Sequence, residues 1–346
     1  MKVLFSVYNI SGYLLSELKA LSAYADIVVI ETPCNIEKGE LLKNVKWIDR
    51  RSLKTIYDID SKLEGFVPDV FFCGGWFDKL LLRYAFKAKQ KKIKTVLLID
   101  TPWKGTIKQW IHCLISRFTL IPKFNYAWGA GEPQKKYLKR LGFSEKNIKV
   151  GYYCADTEKF APIGEMRIES AKKSNIWPHV MLYIGRYVAV KNMRRMERAF
   201  IKASEGADWK LVCIGGGELW EERTIHPRIE HLGYKQPNEI QEYVKNAGCF
   251  VLPSVYEPWG VVVHEAALMG LPMLCSNKIQ AATKFLKEGK NGFVFNPLDE
   301  EEMARVFKKL MKNSDGDLYQ MGRQSFENGI SYNLSDWVQR ALEFKG

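Results

Sequence analysis

The chain of 346 residues contains no run of eighteen apolar residues, so no segment reads as a bilayer-spanning helix. It has no CxxC spacing either. Its seven cysteines are odd in number and lie mostly within apolar runs such as "DVFFC" and "KLVCIG", which argues against a disulfide framework and for reduced core thiols in a cytoplasmic protein. Low-complexity tracts and short tandem repeats are absent. The glycine fingerprint GxGxxG is missing as well. "CIGGGELWEE" sets Gly215, Gly216 and Gly217 in a row, and the next strand, "RIEHLGY", runs into Gly233 and Tyr234 without an acidic residue at its end. That weakens a nicotinamide-dependent oxidoreductase and leaves the three glycines as a tight turn lining a cleft.

The first letters, "MKVLFSVYNISGYLLSELKALSAYA", imitate a secretory leader, but Glu17 and Lys19 interrupt the apolar run. A buried strand from Lys2 to Val7, a turn at Gly12 and a helix account for them better. Hydrophobic residues make up 47% and charged residues 26%, the balance of a soluble globular protein, and the length calls for two packed domains. The net charge of +13 is unevenly spread. Residues 1–160 carry 27 basic and 16 acidic side chains, hence +11, and residues 161–346 carry 25 and 23, hence +2. Charge alone leaves two readings equally open: an anionic surface facing the first half, or a face that only keeps the protein in solution.

Short apolar runs alternate with helix-length segments in both halves. "KVLFSVY", "DIVVIE", "DVFFC", "TVLLID" and "NYAWG" read as strands of a parallel sheet covered on both faces. After a polar, glycine- and proline-bearing stretch at 161–178, taken as the hinge, the rhythm restarts with "HVMLYIG", "WKLVCIGGG", "RIEHLGY", "CFVLPS", "PMLCS" and "GFVF". The expected architecture is α/β: two Rossmann-like, doubly wound domains, 1–165 and 166–330, with a last helix near 331–346 free to pack back on the first. Ligands of such sheets lie beyond the carboxyl ends of the strands, so substrate is expected in a cleft between the domains.

Two segments carry chemistry. "YIGRYVAVKN" ends a strand at Gly185, adds Arg186, and supplies Lys191 where the next helix should begin. Two cations beside a helix amino terminus make a diphosphate site; the alternative is a polar strand exit whose cations face water. "SVYEPWGVVVHEAALMGLPML" places Glu257 before Pro258, which holds it extended, and has Pro258, Trp259 and Gly260 start a helix. Glu265 then lies about 7–8 Å deeper along that helix. Carboxylates accept paired hydrogen bonds from vicinal hydroxyls, and helix amides suit phosphate or sugar oxygens, so a sugar nucleotide has the matching parts in order. A lysine-paired surface glutamate is the alternative for Glu265, at odds with its apolar neighbours.

Together these segments resemble the family-four retaining glycosyltransferases of the GT-B fold. "GRYVAVKN" is similar to the family's Gly-Arg-x4-Lys donor signature, the Glu257–Glu265 segment to its Glu-x7-Glu segment, and "LGFSEKNIKVGYYCADTEKFAP" to the passage between its domains. The resemblance implies a nucleotide-diphosphate sugar donor, UDP- or GDP-linked, and no metal or other cofactor. Arg186 and Lys191 would neutralise the diphosphate and Glu265 would hold the ribose. Glu257, with the amides of Trp259, Gly260 and Val261, would grip the sugar, Gly12 would let a loop approach the phosphates, and Tyr234 would lie near the base. The implied reaction transfers the sugar with retention to a glycan or lipid-linked acceptor, in bacterial surface polysaccharide or lipopolysaccharide synthesis; the rival is a catalytically silent GT-B binding protein.

The chain departs from the family where a histidine commonly follows a first-domain strand: "TVLLIDTPW" offers Asp100. The usual double glycine after the first strand is reduced to "NISGY". An Asp-x-Asp at Asp58 and Asp60 is read as a helix start rather than a metal site. "RYAFKAKQKKIK" carries six basic residues, and "PWKGTIKQWIHCLISRFTLIP" interleaves Trp103, Trp110 and Phe118 with cations. That pattern fits a helix lying on an anionic bilayer, giving a cytoplasmic protein peripheral on the membrane, or equally an ordinary core-facing helix. Nucleic acid is not expected, since no recognition module is present.

Overall fold

A computed structural model describes residues 1–8, 10–32, 42–74 and 76–345, in two compact units. The first joins Met1–Asp156 to Asn333–Gly346, and the second is Thr157–Tyr332. Each contains one all-parallel sheet.

In the first unit the strands are β1 (Lys2–Val7), β2 (Asp26–Glu31), β3 (Lys46–Asp49), β4 (Val70–Cys73), β5 (Lys94–Ile99), β6 (Tyr126–Gly129) and β7 (Ile148–Val150), ordered β3-β2-β1-β4-β5-β6-β7. The five expected runs are all strands. β3 and β7, which the sequence reading lacks, are the two edges, only four and three residues long and carrying Lys46 and Lys149. An edge strand is half solvated and often charged, so it shows no continuous apolar run. The Leu334–Leu342 helix lies against this sheet: Trp337 packs on Trp128 and Phe5, and its Nε1 donates to the Tyr152 carbonyl at 2.7 Å.

In the second unit β8 (Val180–Ile184), β9 (Lys210–Ile214), β10 (Ile229–His231), β11 (Cys249–Leu252), β12 (Met273–Ser276) and β13 (Gly292–Phe295) order as β10-β9-β8-β11-β12-β13. All six correspond to expected strands. The direction of winding reverses between β8 and β11, the position at whose carboxyl ends a crevice is expected in such sheets.

Much of the stretch at 161–178, expected to be irregular, is helical: Thr157–Ser174 is one helix despite Pro162. Its polar composition has a tertiary cause. Arg167 is 6% exposed and donates to the carbonyls of Met269 (3.0 Å), Lys245 (2.7 Å), Ala247 (2.6 Å) and Val244. These oxygens finish the Pro237–Lys245 and Val261–Leu268 helices, where unsatisfied carbonyls attract a cation. Burial brings the guanidinium down to about 10, still charged at neutral pH.

Six cysteines are free thiols, five of them buried; Cys34 lies outside the described residues. In the first unit Glu17 is fully buried on the Gly12–Ser22 helix. One carboxylate oxygen accepts from the Cys154 N–H at 2.7 Å and Oε2 has no partner among the described residues. Burial pushes this carboxyl well above its ordinary value of 4.5, favouring the neutral form.

Two outcomes are expected. Arg167→Met, which removes a buried donor shared by four carbonyls, should lower the stability read from the urea midpoint by about 3–5 kcal/mol, and Arg167→Lys should recover no more than about half of it. Because the folded state holds the Glu17 proton more tightly than the unfolded chain, its contribution is complete below pH 4.5 and is lost as pH rises toward the folded value. Glu17→Gln should therefore raise the Tm at pH 8 and change it little at pH 4.

Candidate active site

The crevice of the second unit is built from the chain leaving β8 and the chain leaving β11. Gly185 ends the first, its N–H bonded to the Ile214 carbonyl at 3.0 Å, and the Tyr183 hydroxyl donates to the Arg186 carbonyl at 3.1 Å, folding the turn back on its strand. The Arg186 side chain is exposed. A short 3-10 turn, Ala189–Lys191, follows, and Asn192, left-handed at φ 58°, caps the Met193–Ala203 helix. Asn192 Nδ2 donates to the carbonyls of Pro253 (3.2 Å) and Pro297 (2.7 Å), while Val255 N–H reaches the Val190 carbonyl at 2.9 Å. These bonds fasten the Lys191 turn to the segment carrying Glu257.

Lys191 and Glu257 consequently meet. Nζ lies 2.5 Å from Oε2, both side chains being mostly buried at 15% and 19% exposure, and the Ser254 hydroxyl donates to the same oxygen at 3.3 Å. Glu257 N–H is anchored on the Lys278 carbonyl at 3.2 Å. Gly260 sits at φ 95°, where side chains are strained, and a Cβ there would come within 2.9 Å of Glu257 Cγ. This conformation corrects one expectation: Pro258, Trp259 and Gly260 form the turn, and the helix begins at Val261, because a left-handed residue cannot be helical. Trp259 is buried at 3% exposure, its carbonyl accepting from Ala281 N–H at 2.9 Å, so its side chain anchors the turn. Glu265 is half-buried on the fifth residue of the helix, about 6 Å along the axis from Val261.

The glycine run supports this turn from behind. A Cβ on Gly215 would lie 1.9 Å from the Gly185 carbonyl oxygen, so the two backbones are in direct contact. Tyr187 N–H donates to the Gly216 carbonyl at 2.9 Å and Leu219 N–H to the Tyr187 carbonyl at 3.0 Å. Tyr234 follows β10 and is 73% exposed.

Gly12 and Asp100 belong to the first unit. Gly12 opens the Gly12–Ser22 helix, and a Cβ there would meet nothing within 4 Å, so the packing of the chain does not itself demand glycine. Asp100 follows β5 in a pocket of about 390 Å³ at the carboxyl ends of β1, β4 and β5. It accepts from the Tyr153 hydroxyl at 3.3 Å and the Thr101 hydroxyl at 3.4 Å, while its carbonyl takes Gln134 Nε2 at 2.6 Å. Burial raises the carboxyl above its ordinary range, and burial also lifts the Tyr13 phenol to about 12, so that ring remains a neutral donor and acceptor. Tyr13, Tyr152 and Tyr153 were assigned no role from the sequence. The adjacent tyrosines directly after β7, at the end of a parallel strand, were the available signal.

Asp58 and Asp60 are engaged in structure. Asp58 forms a capping box with Thr55 at the start of the Ile56–Leu63 helix and Asp60 pairs with Lys87. Among the described residues no group of three or more His, Cys, Asp or Glu side chains is arranged to hold a metal ion.

Residues 166–327 match the family model of the glycosyl transferases group 1. The lipopolysaccharide 1,6-galactosyltransferase of Salmonella typhimurium is 24% identical over 273 residues, 76% of this chain and 71% of that protein. The O-antigen chain mannosyltransferase B of Escherichia coli is 27% identical over 275 residues, 76% of this chain and 62% of that one. The chain spans about half the length of other curated relatives it matches. Among solved structures, Anabaena Alr3699/HepE in complex with UDP superimposes with a TM-score of 0.76 at 14% identity, covering 99% of each chain. The fold is thus that of the GT-B glycosyltransferases, and residues 166–327 carry the match to the glycosyl transferases group 1 model.

Proposed function

We propose that this protein transfers a hexose, with retention, from a UDP- or GDP-linked sugar to a glycan or lipid-linked saccharide, in the synthesis of a bacterial surface polysaccharide or lipopolysaccharide. The observation that carries this reading is the Lys191–Glu257 contact at the reversal point of the second sheet. Each charge is satisfied by the other. A diphosphate offers Lys191 a better-matched partner and frees Glu257 to accept from sugar hydroxyls, so binding exchanges one ion pair for another without stranding a charge. Relatives that transfer galactose and mannose support the hexose, and UDP in a like fold supports a nucleotide donor.

In the proposed reaction the bond from the anomeric carbon to the diphosphate oxygen breaks while the acceptor oxygen bonds to that carbon on the same face. The acceptor proton passes to the departing phosphate. Arg186, Lys191 and the positive end of the Met193–Ala203 helix meet the charge that develops on the leaving group, the role a divalent metal plays elsewhere. Glu257 and the Trp259–Val261 amides orient the sugar, Glu265 the ribose, and Tyr234 lies by the base. Asp100, among tyrosine hydroxyls, accepts from saccharide hydroxyls, and the open space at Gly12 leaves room for a ligand phosphate.

The Ile107–Thr119 helix supports attachment to an anionic bilayer. A core-facing helix would bury its apolar residues, yet Ile107, Leu114 and Phe118 are 80%, 74% and 82% exposed and Trp110 and Ile111 share their face. The spacing 107, 110, 111, 114, 118 is one continuous stripe, flanked by Lys108 and Arg117. No helix among the described residues is long and apolar enough to cross a membrane.

Lys191→Ala and Glu257→Ala should each reduce kcat/KM by about a thousandfold or more, with excess chelator present throughout and the circular dichroism spectrum unchanged; an active double variant would refute the assignment. In flotation with phosphatidylglycerol vesicles the wild-type chain should rise with the lipid at low salt, and Leu114→Glu with Phe118→Glu should cut the floated fraction about tenfold. Equal flotation on neutral vesicles would contradict the attachment.

A further inference from the structure

The Ile107–Thr119 helix has a second, inner stripe beside the exposed one. Lys108, His112, Ile115 and Thr119, spaced by four, three and four residues, form one wall of a groove of about 740 Å³. Trp76, Leu82 and Tyr137 face them, the Trp76 ring lying 5.3 Å from His112 and 6.1 Å from Tyr137. From Lys108 to Thr119 the groove runs about 16 Å along the helix, and its volume falls in the range of ligand sites rather than packing gaps.

Three features say what it takes. The wall is largely aromatic and aliphatic, while Lys104 and Lys108 stand at its amino-terminal end and Lys123 at the other, so an apolar ligand with negative charge is the complement. The Tyr137 ring closes this wall on a side chain only 1% exposed, and its buried hydroxyl has no hydrogen-bond partner among the described residues. Finally, Trp76, Phe77 and Thr101 line both this groove and the polar pocket of Asp100, so the two are continuous within the first unit.

We propose that the groove seats the lipid of the acceptor: a hydrocarbon chain bearing a phosphate lies along the inner stripe, its phosphate meets Lys104 and Lys108, and the saccharide it carries enters the Asp100 pocket. The inference rests on the transfer reading above and names its acceptor class as a phosphate-linked lipid saccharide. The outer stripe faces the bilayer and the inner stripe receives one chain from it, so a single helix serves both contacts.

The full chain is titrated with decyl phosphate, decanol and inorganic phosphate by tryptophan fluorescence, and with UDP- and GDP-sugars by thermal stabilisation. Decyl phosphate is expected to bind at least about tenfold more tightly than either fragment, and Ile115→Asp, at a position already 45% exposed, to lower that affinity about tenfold. Nucleotide-sugar stabilisation of Ile115→Asp should equal that of the wild type, which also shows that it folds. Phe118→Glu should bind decyl phosphate normally, separating the groove from the bilayer face. Decyl phosphate binding no better than inorganic phosphate, or undiminished in Ile115→Asp, would overturn the inference while nucleotide-sugar stabilisation stands. A chain that binds decyl phosphate in the groove and is stabilised by no nucleotide sugar would instead defeat the transfer reading.

Discussion

A parallel sheet delivers every strand's carboxyl end to one edge, and where the winding reverses, the departing loops part and leave space. In the second unit that reversal falls between β8 and β11, which are paired neighbours, so that Lys191 and Glu257, 66 positions apart on the segments that follow them, meet at the same edge. The first unit repeats the geometry with a different lining: the ends of β1, β4 and β5 surround Asp100 with tyrosines in place of an ion pair. One unit thus presents paired opposite charges and the other a weakly charged, hydroxyl-rich pocket. This division suits a charged leaving group in one and a neutral saccharide in the other.

Holding the loops in place depends on backbone contacts that leave little room for side chains. Gly215 lies flush against the turn carrying Arg186, and left-handed Gly260 lets Glu257 tuck under its own loop. Asn192 and Val255 then tie the two loops together. Because the loops are positioned by main-chain hydrogen bonds and the Asn192 amide, the fold does not depend on the Lys191–Glu257 pair to hold them.

Buried ionisable groups divide into those that complete the architecture and those that do not. Arg167 neutralises carbonyl ends of two helices, and the Glu17 carboxyl carries one oxygen unmatched among the described residues in the core of the first unit. Neither lines the Lys191 crevice. The exposed stripe and the groove on the Ile107–Thr119 helix are the opposite case: apolar surface that the fold leaves uncovered, at a cost that a partner's surface would offset.

The amino-acid sequence alone determined the α/β class, eleven of the thirteen strands among the described residues and the GT-B family resemblance, since buried parallel strands are continuous apolar runs and the Arg186–Lys191 and Glu257–Glu265 segments are local in the chain. It did not reveal β3 and β7, because short edge strands carry lysines, nor the helix through 157–174, whose Arg167 is polar for the sake of carbonyls some eighty to a hundred residues away. Only the tertiary structure decided that Lys191 pairs with Glu257, that Tyr13 and Tyr153 gather round Asp100, and that the stripe at 107–118 faces outward. Such facts depend on which distant segments a fold brings together, and a one-dimensional pattern records spacing along the chain rather than across it.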